Sequence, residues 1–207
     1  MAVELIIFDC DGVLIDSEVL ACRIEAEELT RAGYQITVDE VATRFTGIPS
    51  AAMYEILGRE QGRPVSAELA HRTRMRIHEA VATEVEAVPG VHEVLQDISH
   101  DVCVASTSSL EYLAIALGRV DLHDRFAPNI FSGQQVERGK PAPDLFLFAA
   151  AEMGTAPEHC LVIEDSIAGV TGGGHSVDGH GRRLADAGAE QVFDDMTHLP
   201  SLLRDFG

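Results

Sequence analysis

Three stretches of the chain are apolar almost without interruption: VELIIF (3–8), DVCVAS (101–106) and CLVIED (160–165). Runs of that length and density predict short parallel strands buried on both faces. PNIFSG predicts a further short strand and GAEQVF (188–193) a last one. Between them the spacing turns helical. SEVLACRIEAEELTRAG opens on Ser17 as N-cap and stops at Gly33, and TVDEVATRF (37–45) begins with the capping-box pair Thr37 and Glu40. SAAMYEILGREQG and SAELAHRTRMRIHEAVATEV are amphipathic, so residues 17 to about 85 read as helix throughout, with no strand candidate. Further helices are PGVHEVLQDI ahead of the second strand, SLEYLAIALGRV after it, APDLFLFAAAEMG (142–154) ahead of the third, and THLPSLLRDF at the end. Strands alternating with helices predict a parallel α/β sheet, and the block 17–85 is an insert between its first and second units.

The ends of the three strong strands are out of keeping with their apolar bodies. Asp9 and Asp11 follow the first, Ser106 and Thr107 the second, and Glu164 and Asp165 close the third, while Lys140 stands in the loop RGKPAPD. Open parallel sheets bind ligands beyond the carboxyl ends of their strands. Carboxylates gathered there repel and lose hydration unless their pKa values rise or a cation neutralises them. Oxygen-only donors select a hard cation. Mg²⁺ fits best, held by a few carboxylates, water and a phosphate oxygen. Ser106, the backbone N–H groups after it and Lys140 are then placed to hold the remaining phosphate oxygens. Asp9 can attack phosphorus, and Asp11 can protonate the leaving oxygen and later deprotonate a water. Phosphate monoesters resist hydrolysis enough that accelerations up to about 10²¹-fold are known, so nucleophile, metal and acid–base catalyst are all required.

Composition narrows the partners. The 207 residues carry 34 acids against 15 bases, a formal charge of −19, which argues against a nucleic-acid surface. No apolar run approaches membrane-spanning length. Four scattered cysteines without a CxxC read as reduced buried thiols, and no charged and apolar leader precedes the strand at Val3; both point to the cytoplasm. The expected partner is a small phosphorylated metabolite, met by a monomer or weak homo-oligomer.

The motif set DCDGVLIDS, VCVASTSS, GKPAPDLF and LVIEDSIAG, in that order, resembles the haloacid dehalogenase (HAD) superfamily, and within it the β-phosphoglucomutase-like sugar-phosphate phosphatases. The resemblance covers nearly the whole chain. It implies a Rossmann-like parallel-sheet catalytic core (1–16 and 86–207) with an inserted all-helical cap domain (17–85), acting as a Mg²⁺-dependent phosphatase through an aspartyl-phosphate. By position, Asp9 resembles the nucleophile and Asp11 the acid/base, whose backbone carbonyl also reaches Mg²⁺. Ser106 and Lys140 look like the phosphate clamp, with Thr107 beside them, and Asp165 like the third metal-binding residue, supported by Glu164. Asp16 and Ser17 match the hinge into the cap. TRFTGIPS resembles the loop that reads the substrate, making Arg44, Thr46 and Gly47 candidates for specificity.

The sequence departs from the family pattern in one place. SIAGVT runs directly into GGGHSVDGHG, leaving the chain roughly a dozen residues short, about half a helix and a strand. The reading adopted is a flexible segment left out of the chain as numbered; a true deletion would put the metal site in doubt. Two rivals keep the same residues: a phosphosugar mutase, disfavoured because Ala21 stands where mutase-like relatives carry histidine, and a receiver-like module that would not need Asp11. A haloacid dehalogenase would use no Mg²⁺ and would usually lack the Asp11 counterpart. Cys10 points away from the aspartates by strand alternation and reads as packing. The dispersed histidines, with His175 and His180 the only pair near one another among glycines, and the run Gly172–Gly174 carry no ligand or phosphate-loop pattern.

Overall fold

The computed structural model describes residues 2–45, 48–166, 169–170, 189, 191–193 and 195–206. Its contacts separate two compact units, Met1–Asp16 with Glu86–Gly207, and Ser17–Val85.

The first unit is organised by a four-stranded parallel sheet. β1 (Leu5–Phe8), β2 (Asp101–Ser106), β3 (Ile130–Ser132) and β4 (Cys160–Ile163) lie in the order β3-β2-β1-β4. The chain therefore steps outward from β1 to β3 and then returns to the other side of β1. β1 is the switch point, where such sheets open a crevice for ligands. The crossovers are α5 (Val91–Asp97), then α6 (Leu110–Arg119) with the short α7 (His123–Phe126), then α8 (Asp144–Glu152). Register places Phe8 level with both Val104 and Ile163, so the residues just past those positions share one edge of the sheet. Strand alternation divides the apolar side chains between two faces. Leu5, Ile7, Cys103, Ala105 and Val162 pack with Leu145, Phe146, Ala149 and Ala150 of α8. On the other face Phe8 meets Phe126 edge-on, with ring centroids 5.9 Å apart.

The second unit holds α1 (Ser17–Arg31), α2 (Val38–Phe45), α3 (Ser50–Glu60) and α4 (Ala67–Glu84). The expected capping box closes α2: the Thr37 N–H donates to Glu40 Oε2 at 2.8 Å, and the Glu40 N–H to Thr37 Oγ1 at 3.2 Å. Leu29, Tyr34, Val41, Phe45, Met53 and Leu57 form its core. One charge is buried there with company. Glu28 accepts from Arg31, Arg72 and Arg76 at 2.7, 2.8 and 2.6 Å, and these guanidiniums hold its carboxyl down to about 2.

The carboxyl-terminal expectations need correction. Of the strand expected over 188–193, Ala189 and residues 191–193 are described and belong to no strand. The single helix expected over THLPSLLRDF is three successive turns: a 3-10 turn at Met196–His198, α9 (Leu199–Leu202) with Pro200 near its start, and a 3-10 turn at Leu203–Phe206. A proline cannot donate within a helix and is tolerated only in its first turn, which restarts the helix at that point. The shortfall expected after Thr171 falls at residues outside the described ones. Residues 171–188 lie outside the described residues, and with them His175, His180 and Gly172–Gly174. Among the described residues no helix is long and apolar enough to cross a membrane.

Candidate active site

The three polar strand ends meet at the switch point. Asp9 continues β1, with its N–H donating to the Ile163 carbonyl at 2.9 Å, which sets it beside Glu164 at the end of β4. Lys140 is what joins the two acids. Its Nζ donates to Asp9 Oδ1 at 2.7 Å and to Glu164 Oε1 at 2.5 Å, and it lies 4.9 Å from the centre of the Phe146 ring. The lysine side chain is 4% exposed, that of Glu164 1% and that of Asp9 11%, so water screens these contacts little. Glu164 Oε2 also accepts from the Ser166 N–H at 2.7 Å.

Burial opposes the charge on Lys140, but Asp9 and Glu164 outweigh it and raise its pKa, keeping the ammonium charged. Asp9 moves the other way from a normal carboxylate. Burial, then the neighbouring Glu164 and Asp11, raise it to about 7 despite the pull of Lys140. One ammonium is too little positive charge for the acids around it.

The loop after β1 is shaped to admit another carboxylate. Gly12 has φ +78°, and its N–H donates to the Ile15 carbonyl at 2.8 Å. A Cβ on Gly12 would fall 1.9 Å from Asp165 Oδ2, so only glycine lets that carboxylate approach. Across the site a Cβ on Gly169 would fall 1.7 Å from Glu164 Oε1. As a result Asp9, Glu164 and Asp165 each offer an oxygen within 4.8 Å of the others. Three hard donors, and an acid whose proton is held for want of positive charge, fit a divalent cation bound through oxygen.

Asp11 was expected to reach the metal through its backbone carbonyl and to act as acid/base through its side chain. Its side chain is outside that group of three and is engaged elsewhere. Tyr112 Oη donates to Asp11 Oδ1 at 2.7 Å, and Ser108 Oγ to Oδ2 at 3.1 Å. Neither partner was singled out in the sequence. The run of serines and threonine at a strand end was the available signal for Ser108, whereas Tyr112 looks like any residue of an amphipathic helix. Ser106, 1% exposed, accepts from the Ser108 N–H at 3.2 Å, and Thr107 beside it is exposed. Cys10 is fully buried between the aspartates, and burial pushes its thiol well above the usual range, so it packs and stays protonated.

In the helical unit, Arg44 pairs with Glu60 at 2.6 Å and lies 4.7 Å from the Phe45 ring centre, on an exposed surface. Thr46 and Gly47 lie outside the described residues.

An α/β sheet with buried carboxylates, a bridging lysine and a serine at its switch point defines an enzyme built for polar group transfer. The chain belongs to the haloacid dehalogenase-like hydrolases, a family that matches over residues 3–176. It is 31% identical over 172 residues to the 6-phosphogluconate phosphatase of Escherichia coli (strain K12), covering 83% of this chain and 78% of that protein. A conserved haloacid dehalogenase-like protein of unknown function from Agrobacterium tumefaciens str. C58 superposes with a TM-score of 0.92 at 35% identity, covering 99% of both chains. A HAD family hydrolase from Deinococcus radiodurans R1, solved with bound phosphate and sodium, superposes at 0.84 with 27% identity, over 99% of this chain and 96% of that one.

Proposed function

We propose that the protein is a Mg²⁺-dependent phosphatase of small phosphorylated metabolites, sugar or sugar-acid phosphates, working through an aspartyl-phosphate on Asp9. The observation that carries this reading is the bridge from Lys140 to Asp9 and Glu164, with Asp165 close by. With Oδ1 committed to Lys140, Asp9 Oδ2 is the oxygen that attacks phosphorus. The bond from phosphorus to the leaving oxygen breaks as that oxygen takes a proton from Asp11, and Asp11 then draws a proton from the water that releases phosphate. Lys140, Ser106 and the backbone around Thr107 hold the phosphoryl oxygens. Asp9, Glu164 and Asp165, with the Asp11 carbonyl, would hold Mg²⁺, which when bound offsets negative charge on the phosphoryl group.

Relatives named as a 6-phosphogluconate phosphatase and as a hydrolase with bound phosphate support the substrate class. Arg44, Thr46 and Gly47 are the proposed substrate-reading residues of the helical unit, which we take as a cap hinged at Asp16 and Ser17. Ala21, in place of the mutase histidine, favours water over sugar as the acceptor. Four cysteines with no disulfide among them fit a reducing cytoplasm.

The test is phosphate release from a panel of sugar, sugar-acid and nucleotide phosphates, with Mg²⁺ and with a chelator. The expected result is turnover with Mg²⁺, fastest on a sugar or sugar-acid phosphate and lost with the chelator. Folded protein that releases phosphate from no member of the panel overturns the reading.

A further inference from the structure

One short segment of the chain, from the end of β2 into the first turn of α6, supplies two hydroxyl donors to Asp11. Ser108 leaves the strand with its N–H on Ser106 Oγ, and its carbonyl accepts from Ser132 Oγ at 2.7 Å, which fixes that loop to the end of β3. Ser109 then caps α6, its Oγ accepting from the Tyr112 N–H at 3.2 Å. That cap sets the helical backbone from which the phenol reaches Asp11. The two contacts are unequal. Tyr112 Oη lies at 2.7 Å from Oδ1, a short hydroxyl-to-carboxylate distance, and Ser108 Oγ at 3.1 Å from Oδ2 is longer.

The hydroxyls also differ in what they can do next. Tyr112 can keep donating to Oδ1 whether Asp11 carries a proton or not, because that proton can sit on the other oxygen. Ser108 can donate to Oδ2 or accept from it. We propose that Tyr112 is a positioning residue: it pins Oδ1 so that Oδ2 is the oxygen that carries the proton to the leaving group. The inference rests on Asp11 being the acid/base of the phosphatase proposed above. It adds a residue whose effect depends on how much protonation the leaving group needs.

That dependence supplies the test. An aliphatic phosphate ester expels a strongly basic alkoxide and needs Asp11's proton as the bond breaks. p-Nitrophenyl phosphate expels a stable phenolate and does not. For both esters kcat/KM reports the steps through phosphoryl transfer to Asp9, before water attacks. Tyr112→Phe is expected to lower kcat/KM for the best sugar phosphate of the panel by about tenfold or more, part of the usual contribution of a positioned acid. On p-nitrophenyl phosphate the change is expected to stay within about twofold.

The ratio of the two values is independent of the fraction of folded enzyme, so it decides the matter even if the variant is less stable. Equal losses on both esters, or no loss on either, overturn the assignment of Tyr112 while leaving the phosphatase intact. Wild-type enzyme that hydrolyses neither ester removes the phosphatase reading, and this inference with it.

Discussion

Asp9→Asn is expected to reduce phosphate release by on the order of 10⁴-fold or more, because removing a covalent nucleophile leaves only binding and polarisation. The same substitution is expected to change how stability depends on pH. In the folded protein Asp9 holds its proton up to about 7, against an ordinary value of 3.8, first because it is buried and next because Glu164 and Asp11 are near. The unfolded chain therefore releases this proton first. Between about pH 4 and pH 7 this carboxyl contributes a loss of stability as pH rises, and asparagine, which never ionises, removes that contribution. Thermal midpoints of the two proteins with a chelator present should diverge in favour of the variant as pH rises. A variant that follows the wild-type curve across that range would mean that Asp9 ionises freely and that the pocket is not short of positive charge.

Lys140→Met should have the second-largest effect, on stability as well as activity. Lys140 is the cation set directly between Asp9 and Glu164, and methionine keeps its length without its charge. Removing one partner from a buried ion pair costs about 3–5 kcal/mol, since the acids left behind face each other in a dry site. For a chain of this size that corresponds to a fall in Tm of roughly 10 °C at neutral pH. The deficit should shrink as the acids take up protons below neutrality. Activity should fall by about 10²–10³-fold as well, the usual cost of losing one fixed donor to the transferring group. Calorimetry at two pH values separates the effects. A variant as stable as wild type at neutral pH would show that the lysine does not carry these charges.

How much of this was legible in the sequence depends on how far each feature reaches along the chain. The buried strands announce themselves because a strand covered on both faces must be apolar at every position, as 5–8, 102–105 and 161–163 are. The capping box at Thr37 is equally local, with donor and acceptor three residues apart. Asp9, Lys140 and Glu164 could be gathered because each sits at a strand end or in a loop that the parallel topology brings to one edge.

What escaped notice is non-local or brief. Tyr112 and Ser108 reach Asp11 across about a hundred residues, and nothing in a helical pattern marks which polar side chain points at a site. Asp11 was expected to reach the metal through its backbone carbonyl and to use its side chain as acid/base, and no local signal marks the hydroxyls that meet that side chain. Asp11 lies three residues past the strand, next to the turn at Gly12, and its side chain meets α6. α7, the 3-10 turn at Gly133–Gln135 and the broken carboxyl-terminal helix span too few residues to show a period.

The central claim is that phosphoryl passes through Asp9. Rapid mixing of wild-type enzyme with its best substrate and Mg²⁺, quenched in acid during the first turnover and followed by peptide mass mapping, tests it most directly. The account predicts one phosphoryl group on the peptide that contains Asp9, absent from Asp9→Asn. Phosphoryl on a different residue, or phosphate released in a single turnover with no covalent adduct at any time, would contradict it.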